Sequence, residues 1–149
     1  MSTHQQLLYH IVFSTKNRQR WLTDGFREST FGYMAGAVKK LEGFAIIIGG
    51  FYDHAHLLVR IPAKIAVSDF VGKLKSNTSK HINDTSGRIE KFGWQDGFGA
   101  FTVSISQKDG VYRYIDGQMK HHLTQTFEVE YLSLLQKHEV EYDPRYVWD

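Results

Sequence analysis

Cysteine is absent from the 149 residues. That excludes disulfides and zinc–thiolate sites, so any metal must be held by histidine, carboxylate, amide or water. No apolar run approaches the ~20 residues of a membrane span. The opening Met1–Gln6 lacks the basic and apolar regions of a secretory leader, and a cytoplasmic protein is expected. Internal repeats, low-complexity segments and a sign of a second domain are also missing. What is present is ordinary for a globular chain: 42% hydrophobic and 23% charged residues, enough for one domain with a core over 1–149. The charge is uneven. Residues 1–122 hold 16 Lys/Arg against 10 Asp/Glu, and residues 123–149 hold 2 against 6. A basic body with an acidic tail is compatible with a polyanionic ligand.

The densest chemistry lies in Tyr52–Ile61. Strand side chains alternate faces. Ala55, Leu57, Val59 and Ile61 therefore point into a core, while His54, His56, Leu58 and Arg60 point the other way. Two imidazoles about 7 Å apart along a strand can converge on one divalent ion. They can equally be two surface histidines.

The rest of the chain gives the frame. Leu7–Ser14 alternates as a first strand, with His10 packing on the sheet. Lys16-Asn17-Arg18-Gln19-Arg20 is a basic loop, either a solvated turn or a phosphate contact. Thr23 or Asp24 can cap a helix to about Leu41, stopped by Gly43. Phe44–Ile48 is a short strand, and Gly49-Gly50 marks a turn or bulge before the histidine strand. Ser68 can cap a second helix to about Ile82, whose Lys73, Lys75 and Lys80 offer a wet face or phosphate contacts. Phe92–Gly99 is aromatic and glycine-rich; it could stack bases or plug the core with Trp94. Phe101–Ser106 alternates as a last strand. The order β-α-β-β-α-β predicts an α+β, ferredoxin-like antiparallel sheet over 1–106, with both helices on one face. The face bearing His54 and His56 is then left open for a ligand or another chain.

A third helix is expected over 107–125. Tyr114 and Gln118, four apart, share a face. A tyrosine can act as a nucleophile toward phosphorus, and an amide oxygen suits a hard cation. Packing at the helix–sheet border is the competing reading. The tail, 126–149, begins with an amphipathic helix capped by Thr126, with Phe127, Tyr131, Leu134 and Leu135 as its apolar face, and then turns acidic.

His54-Ala55-His56 followed by Tyr114-x-x-x-Gln118 resembles the single-tyrosine HUH transposases. These are the IS-two-hundred-like insertion-sequence enzymes and their REP-associated tyrosine transposase relatives. Tyr9–Lys16, Trp94–Phe101 and the tail from Gln118 to Trp148 also look like family segments. The resemblance implies a divalent metal, Mg²⁺ or Mn²⁺, held by His54, His56 and Gln118, with Tyr114 as the nucleophile. It implies cleavage and rejoining of single-stranded DNA, often beside a hairpin, through a 5′-phosphotyrosine link, and a homodimer in which the tyrosine helix can meet the partner's histidines. Lys16, Arg18, Arg20, Arg60, Lys73, Lys75 and Lys80 are the candidate DNA contacts. Ala55 is smaller than the family's usual residue between the histidines, and Gly117 loosens the tyrosine helix by up to ~1 kcal/mol. Two other readings are a non-catalytic, host-adopted nucleic-acid-binding protein on the same fold, and a metal-dependent hydrolase of small phosphoesters that has no need of Tyr114.

Overall fold

The computed structural model describes residues 2–149. Among the described residues are four strands, β1 (Leu8–Ser14), β2 (Phe44–Gly50), β3 (His54–Arg60) and β4 (Gly99–Thr102). They form one antiparallel sheet in the order β2-β3-β1-β4. Helices α1 (Phe26–Lys40) and α2 (Val67–Thr85) fill one face. Met34 and Val38 of the first, and Phe70, Val71 and Leu74 of the second, close over Ile11, Phe13, Ala55, Leu57 and Val59. This is the expected ferredoxin-like order, and the period-two split of the histidine strand falls where it was expected.

Several boundaries move for local reasons. The main-chain N–H of Gly25 donates to the Glu28 carboxylate at 2.5 Å, and the φ of +81° at Gly25 is one that L side chains rarely adopt. Thr23 and Asp24 are therefore bypassed as caps. The α2 helix starts at Val67 without a side-chain cap. Gly49 and Gly50 do not turn; they continue β2, and the irregularity falls between Ala45 and Ile47. The last strand is Gly99–Thr102 rather than Phe101–Ser106, because the chain winds into a 3₁₀ turn at Ile105–Gln107. Trp94 packs edge-on against Phe13 and Phe92, both at 4.8 Å between ring centres. The aromatic loop thus serves the core.

The second face of the sheet is not open. Helices α3 (Lys108–Asp116), α4 (Gln118–His121) and α5 (Phe127–Lys137) fold back over it. The single helix expected over 107–125 is broken at Gly117, which is the C-cap of α3 and the N-cap of α4. Two small apolar clusters anchor this layer. Leu8 and Leu58 pack with Ile115, and Val12 and Phe101 pack with Phe127, Tyr131, Leu134 and Leu135. A patch of polar side chains is sealed between them.

Candidate active site

β3 sets His54 and His56 side by side, both fully buried, with ring centres 5.1 Å apart. Their Nε2 atoms face the helical layer. Gln118, also buried, brings its Oε1 to 3.0 Å from His54 Nε2. Tyr114 is half-buried, and its ring lies 5.7 Å from that of His56. All four residues singled out for chemistry in the sequence therefore share one centre, within one chain.

The centre also contains two residues that the sequence did not flag for chemistry, His122 and Glu130. Glu130 of α5 is 1% exposed. Its Oε1 lies 3.1 Å from His56 Nε2, 3.0 Å from His122 Nε2 and 3.4 Å from His54 Nε2. Its Oε2 accepts from Gln118 Nε2 at 2.8 Å and from the Tyr114 hydroxyl. A signal was available. Glu130 sits three residues after Phe127 and four before Leu134, on the helix's buried stripe. A carboxylate at a core position needs partners, and here they are imidazoles, an amide and a phenol. Thr126 caps this helix, accepting from Val129 N at 3.3 Å, as expected.

The outer nitrogens of the imidazoles are committed elsewhere. His54 Nδ1 is 2.7 Å from Asp53 Oδ1, and His122 Nδ1 is 2.6 Å from the Gln125 carbonyl. Both partners are acceptors, so both Nδ1 atoms carry the proton. In a neutral ring that leaves Nε2 as a lone pair aimed inward. His56 Nδ1 pairs with His10 Nε2 at 2.8 Å. Lone pairs from several imidazoles facing a carboxylate repel unless a cation lies among them. Burial pushes His56 down to about 4, so it is neutral at neutral pH. Burial also acts to lower His122, but donation from its Nε2 to Glu130 and that residue's charge outweigh this and raise it, so without a cation a proton takes the place of the His122 lone pair. Burial would raise Glu130, yet the hydrogen bonds from His122 and His56 hold it well below the usual carboxylate range. Burial and the Glu130 charge raise the Tyr114 phenol. His121 Nε2 is buried with no hydrogen-bond partner, 3.6 Å from Glu130 Oε2.

His54, His122 and Glu130 fit a metal ion, while His56 lies outside that group. One ligand atom each from His54, His122 and Glu130 lies within 4.8 Å of the others. Donors bound at about 2.1 Å to a common ion sit about 3.0 Å apart at right angles and about 3.4 Å apart at tetrahedral angles, the spacing observed around Glu130 Oε1.

Two cavities reach the centre. One of about 490 Å³ is lined by His10, Tyr114, Gln107 and Lys137. The other, about 310 Å³, is lined by Arg20, Asp53, His122 and Gln125. The basic residues divide between the faces. Lys16, Arg18 and Arg20 follow the end of β1, where Ser14 pairs with His54. Arg18 bonds Glu128 at 3.0 Å and lies over Trp148, and Arg20 lies over Phe51 and Tyr52. Arg60 donates to Gln6 at 3.2 Å. Lys73, Lys75 and Lys80 ride on α2, across the sheet from the centre. Lys75 is buried and donates to the carbonyls of Gln95, Asp96 and Gly97, and Lys80 pairs with Asp84.

The family described as "Transposase IS200 like" matches residues 3–118. The chain belongs to that family. Its fold is that of solved transposases. A candidate transposase from Deinococcus radiodurans R1 superposes with a TM-score of 0.65 at 18% identity, over 80% of this chain and 96% of that one. A REP-associated tyrosine transposase bound to a REP hairpin gives 0.55 at 11% identity, over 79% of this chain and 70% of that one. No curated protein matches the chain. The family match ends at Gln118, so His122 and Glu130 lie beyond it. Among the described residues no helix is long and apolar enough to cross a membrane.

Proposed function

We propose that this transposase cuts and rejoins single-stranded DNA, with Tyr114 as the nucleophile. The observation that carries the reading is the meeting of Tyr114 and Gln118 with His54 and His56 at one buried centre. A structural role alone gives no reason for a phenol, an amide and two imidazoles to be gathered out of water at this cost.

His54, His56 and Gln118 would hold a divalent ion, which when bound would draw negative charge from a phosphate oxygen and from the leaving 3′ oxygen. Tyr114 supplies the attacking oxygen. A bond forms between that oxygen and phosphorus, and the phosphorus–O3′ bond breaks. Its electron pair leaves on the 3′ oxygen, which takes up a proton. The products are a 5′-phosphotyrosine and a free 3′-hydroxyl. The Tyr114 proton already points at Glu130, the nearest acceptor. A second strand's 3′-hydroxyl reverses the step, and the strands join without hydrolysis. Lys16, Arg18 and Arg20, at the site's end of the sheet, are the stronger candidates for contacts to a strand crossing this edge. A hairpin beside the cut is the recognition feature carried over from the solved relative. The enzyme would act in the cytoplasm. A homodimer would pair copies of a site that is complete within one chain.

The test is a denaturing-gel assay. Protein is mixed with end-labelled single strands from the DNA flanking its own gene, with Mg²⁺ or Mn²⁺. A shifted band carrying label from the 3′ side of the cut, lost with EDTA, Tyr114→Phe and His56→Ala, is the expected result. Binding with no adduct on either flank would favour the non-catalytic nucleic-acid-binding reading. Turnover of small phosphoesters that survives Tyr114→Phe would favour the hydrolase.

A further inference from the structure

We propose that Glu130 and His122 complete the metal site, giving three imidazoles and a carboxylate beside Gln118, and that this set selects Mn²⁺, Co²⁺ or Zn²⁺ over Mg²⁺. The inference rests on the metal-using reading above and extends it to two residues outside the segment that matches the family.

Three features carry it. The first is donor chemistry. His54 and His122 bring nitrogens within 4.8 Å of each other and of a Glu130 oxygen, and His56 Nε2 approaches Glu130 Oε1 from beside them at 3.1 Å. Mg²⁺ prefers oxygen and sheds its waters reluctantly, whereas imidazole suits the first-row transition ions. The second is the outer ring of partners. Asp53, His10 and the Gln125 carbonyl hold the three rings by their Nδ1 atoms, the arrangement that orients histidines onto metals. His122 has this outer partner as His54 does, so it is built as a ligand and not as a bystander. The third is the division of labour within Glu130. Its Oε1 faces the imidazoles, while its Oε2 accepts from Gln118 and Tyr114. A carboxylate bound to the ion through Oε1 keeps the Tyr114 hydroxyl in place through Oε2. Glu130 is thus both a ligand and a positioning residue.

The test is made without DNA. Mn²⁺, Co²⁺ and Mg²⁺ affinities are measured by calorimetry on the wild-type chain and on Glu130→Gln and His122→Ala. The expected results are Mn²⁺ or Co²⁺ binding roughly 100-fold tighter than Mg²⁺ and a loss of about tenfold or more in each variant. Pulsed electron paramagnetic resonance of Mn²⁺ on the wild-type chain counts coordinated imidazole nitrogens and does not depend on the variants folding. Three support the proposal and two overturn it. Mg²⁺ binding within a few-fold of Mn²⁺, folded variants with wild-type affinity, or no divalent binding at all would also overturn it. Tight Mn²⁺ binding in a chain that never forms a DNA adduct would sink the strand-transfer reading and leave this one standing.

Discussion

Gly49 offers the sharpest test of how the tyrosine helix is held. It lies on β2 opposite His56, directly beneath α3. A Cβ placed there would lie 2.7 Å from the Ile115 carbonyl oxygen and 2.9 Å from its Cγ2. Restoring a tolerable carbon–oxygen separation of roughly 3.3 Å requires α3 to rise by about 0.6 Å. The obstacle is a main-chain oxygen, so no trimming of the Ile115 side chain relieves it. Tyr114 is the adjacent residue and moves with it. Overpacking of this kind costs about 1–3 kcal/mol, which for a chain of this length lowers Tm by roughly 2–12 °C. A displacement approaching 1 Å can slow a positioned reaction by up to about 100-fold. Gly49→Ala is therefore expected to fold, to melt earlier, and to form the Tyr114 adduct tenfold to a hundredfold more slowly, read from the initial rate on the denaturing gel. Gly36→Ala is the control. It faces open space on an exposed face of α1, and alanine there should raise stability by about 0.5–1 kcal/mol without changing the rate. A Gly49→Ala protein as fast and as stable as wild type would refute the reasoning, because it would mean that α3 does not rest on this glycine.

Other outcomes follow from the same contacts. In EDTA the chain should lose stability as pH falls from 6.5 toward 4. Unfolded His56 gains a proton across that window and the buried ring, held near 4, does not. The loss is roughly 3 kcal/mol for His56 alone, and the lowered His10 adds in the same sense. His122, raised against the effect of burial by Glu130, works the other way, favouring the folded state at the acid end. Urea midpoints at pH 4.5 and 7 decide the net sign, and equal midpoints would count against it. Thr126→Ala removes the α5 cap and should cost about 1 kcal/mol in thermal melting, with a weaker hold on metal because Glu130 sits in the next turn. Lys75→Met should lower Tm yet leave the salt dependence of DNA binding unchanged, since its ammonium is spent on loop carbonyls. Arg20→Ala should leave Tm nearly unchanged and flatten that salt slope by about 1.

The sheet and the first pair of helices were legible because their signals are periodic. Alternation in His54–Ile61 and the 3.6-residue stripe of Phe70, Val71 and Leu74 report burial directly. The elements that moved depend on single contacts. Gly25 displaced Thr23 and Asp24 as the cap because Glu28 reaches back to it. The last strand ended at Thr102 because the next residues turn toward α3. Of the site, the histidine pair, Tyr114 and Gln118 were readable as a spaced motif. Glu130 was not, although Phe127, Tyr131 and Leu134 mark its stripe as buried, because the partners that make a buried carboxylate tolerable come from distant strands and helices. The helices of the third layer were legible, but their folding back over the histidine face of their own chain was not, because a ferredoxin-like core closes with only two helices and that face was expected to meet a ligand or another chain.

That third layer divides the site mechanically. β1 and β3 are the inner strands, bonded on both edges and covered on both faces, and their amide protons should be the slowest in the molecule to exchange with deuterated solvent. His10, His54 and His56 therefore stand on the part of the chain that opens only when the whole protein does. Tyr114 and Gln118 stand on helices of nine and four residues separated by a glycine, with few bonds to protect them. Exchange should reach this half early, so the imidazole half of the centre keeps its shape on a clock of global unfolding while the phenol and the amide keep theirs on a much faster local one.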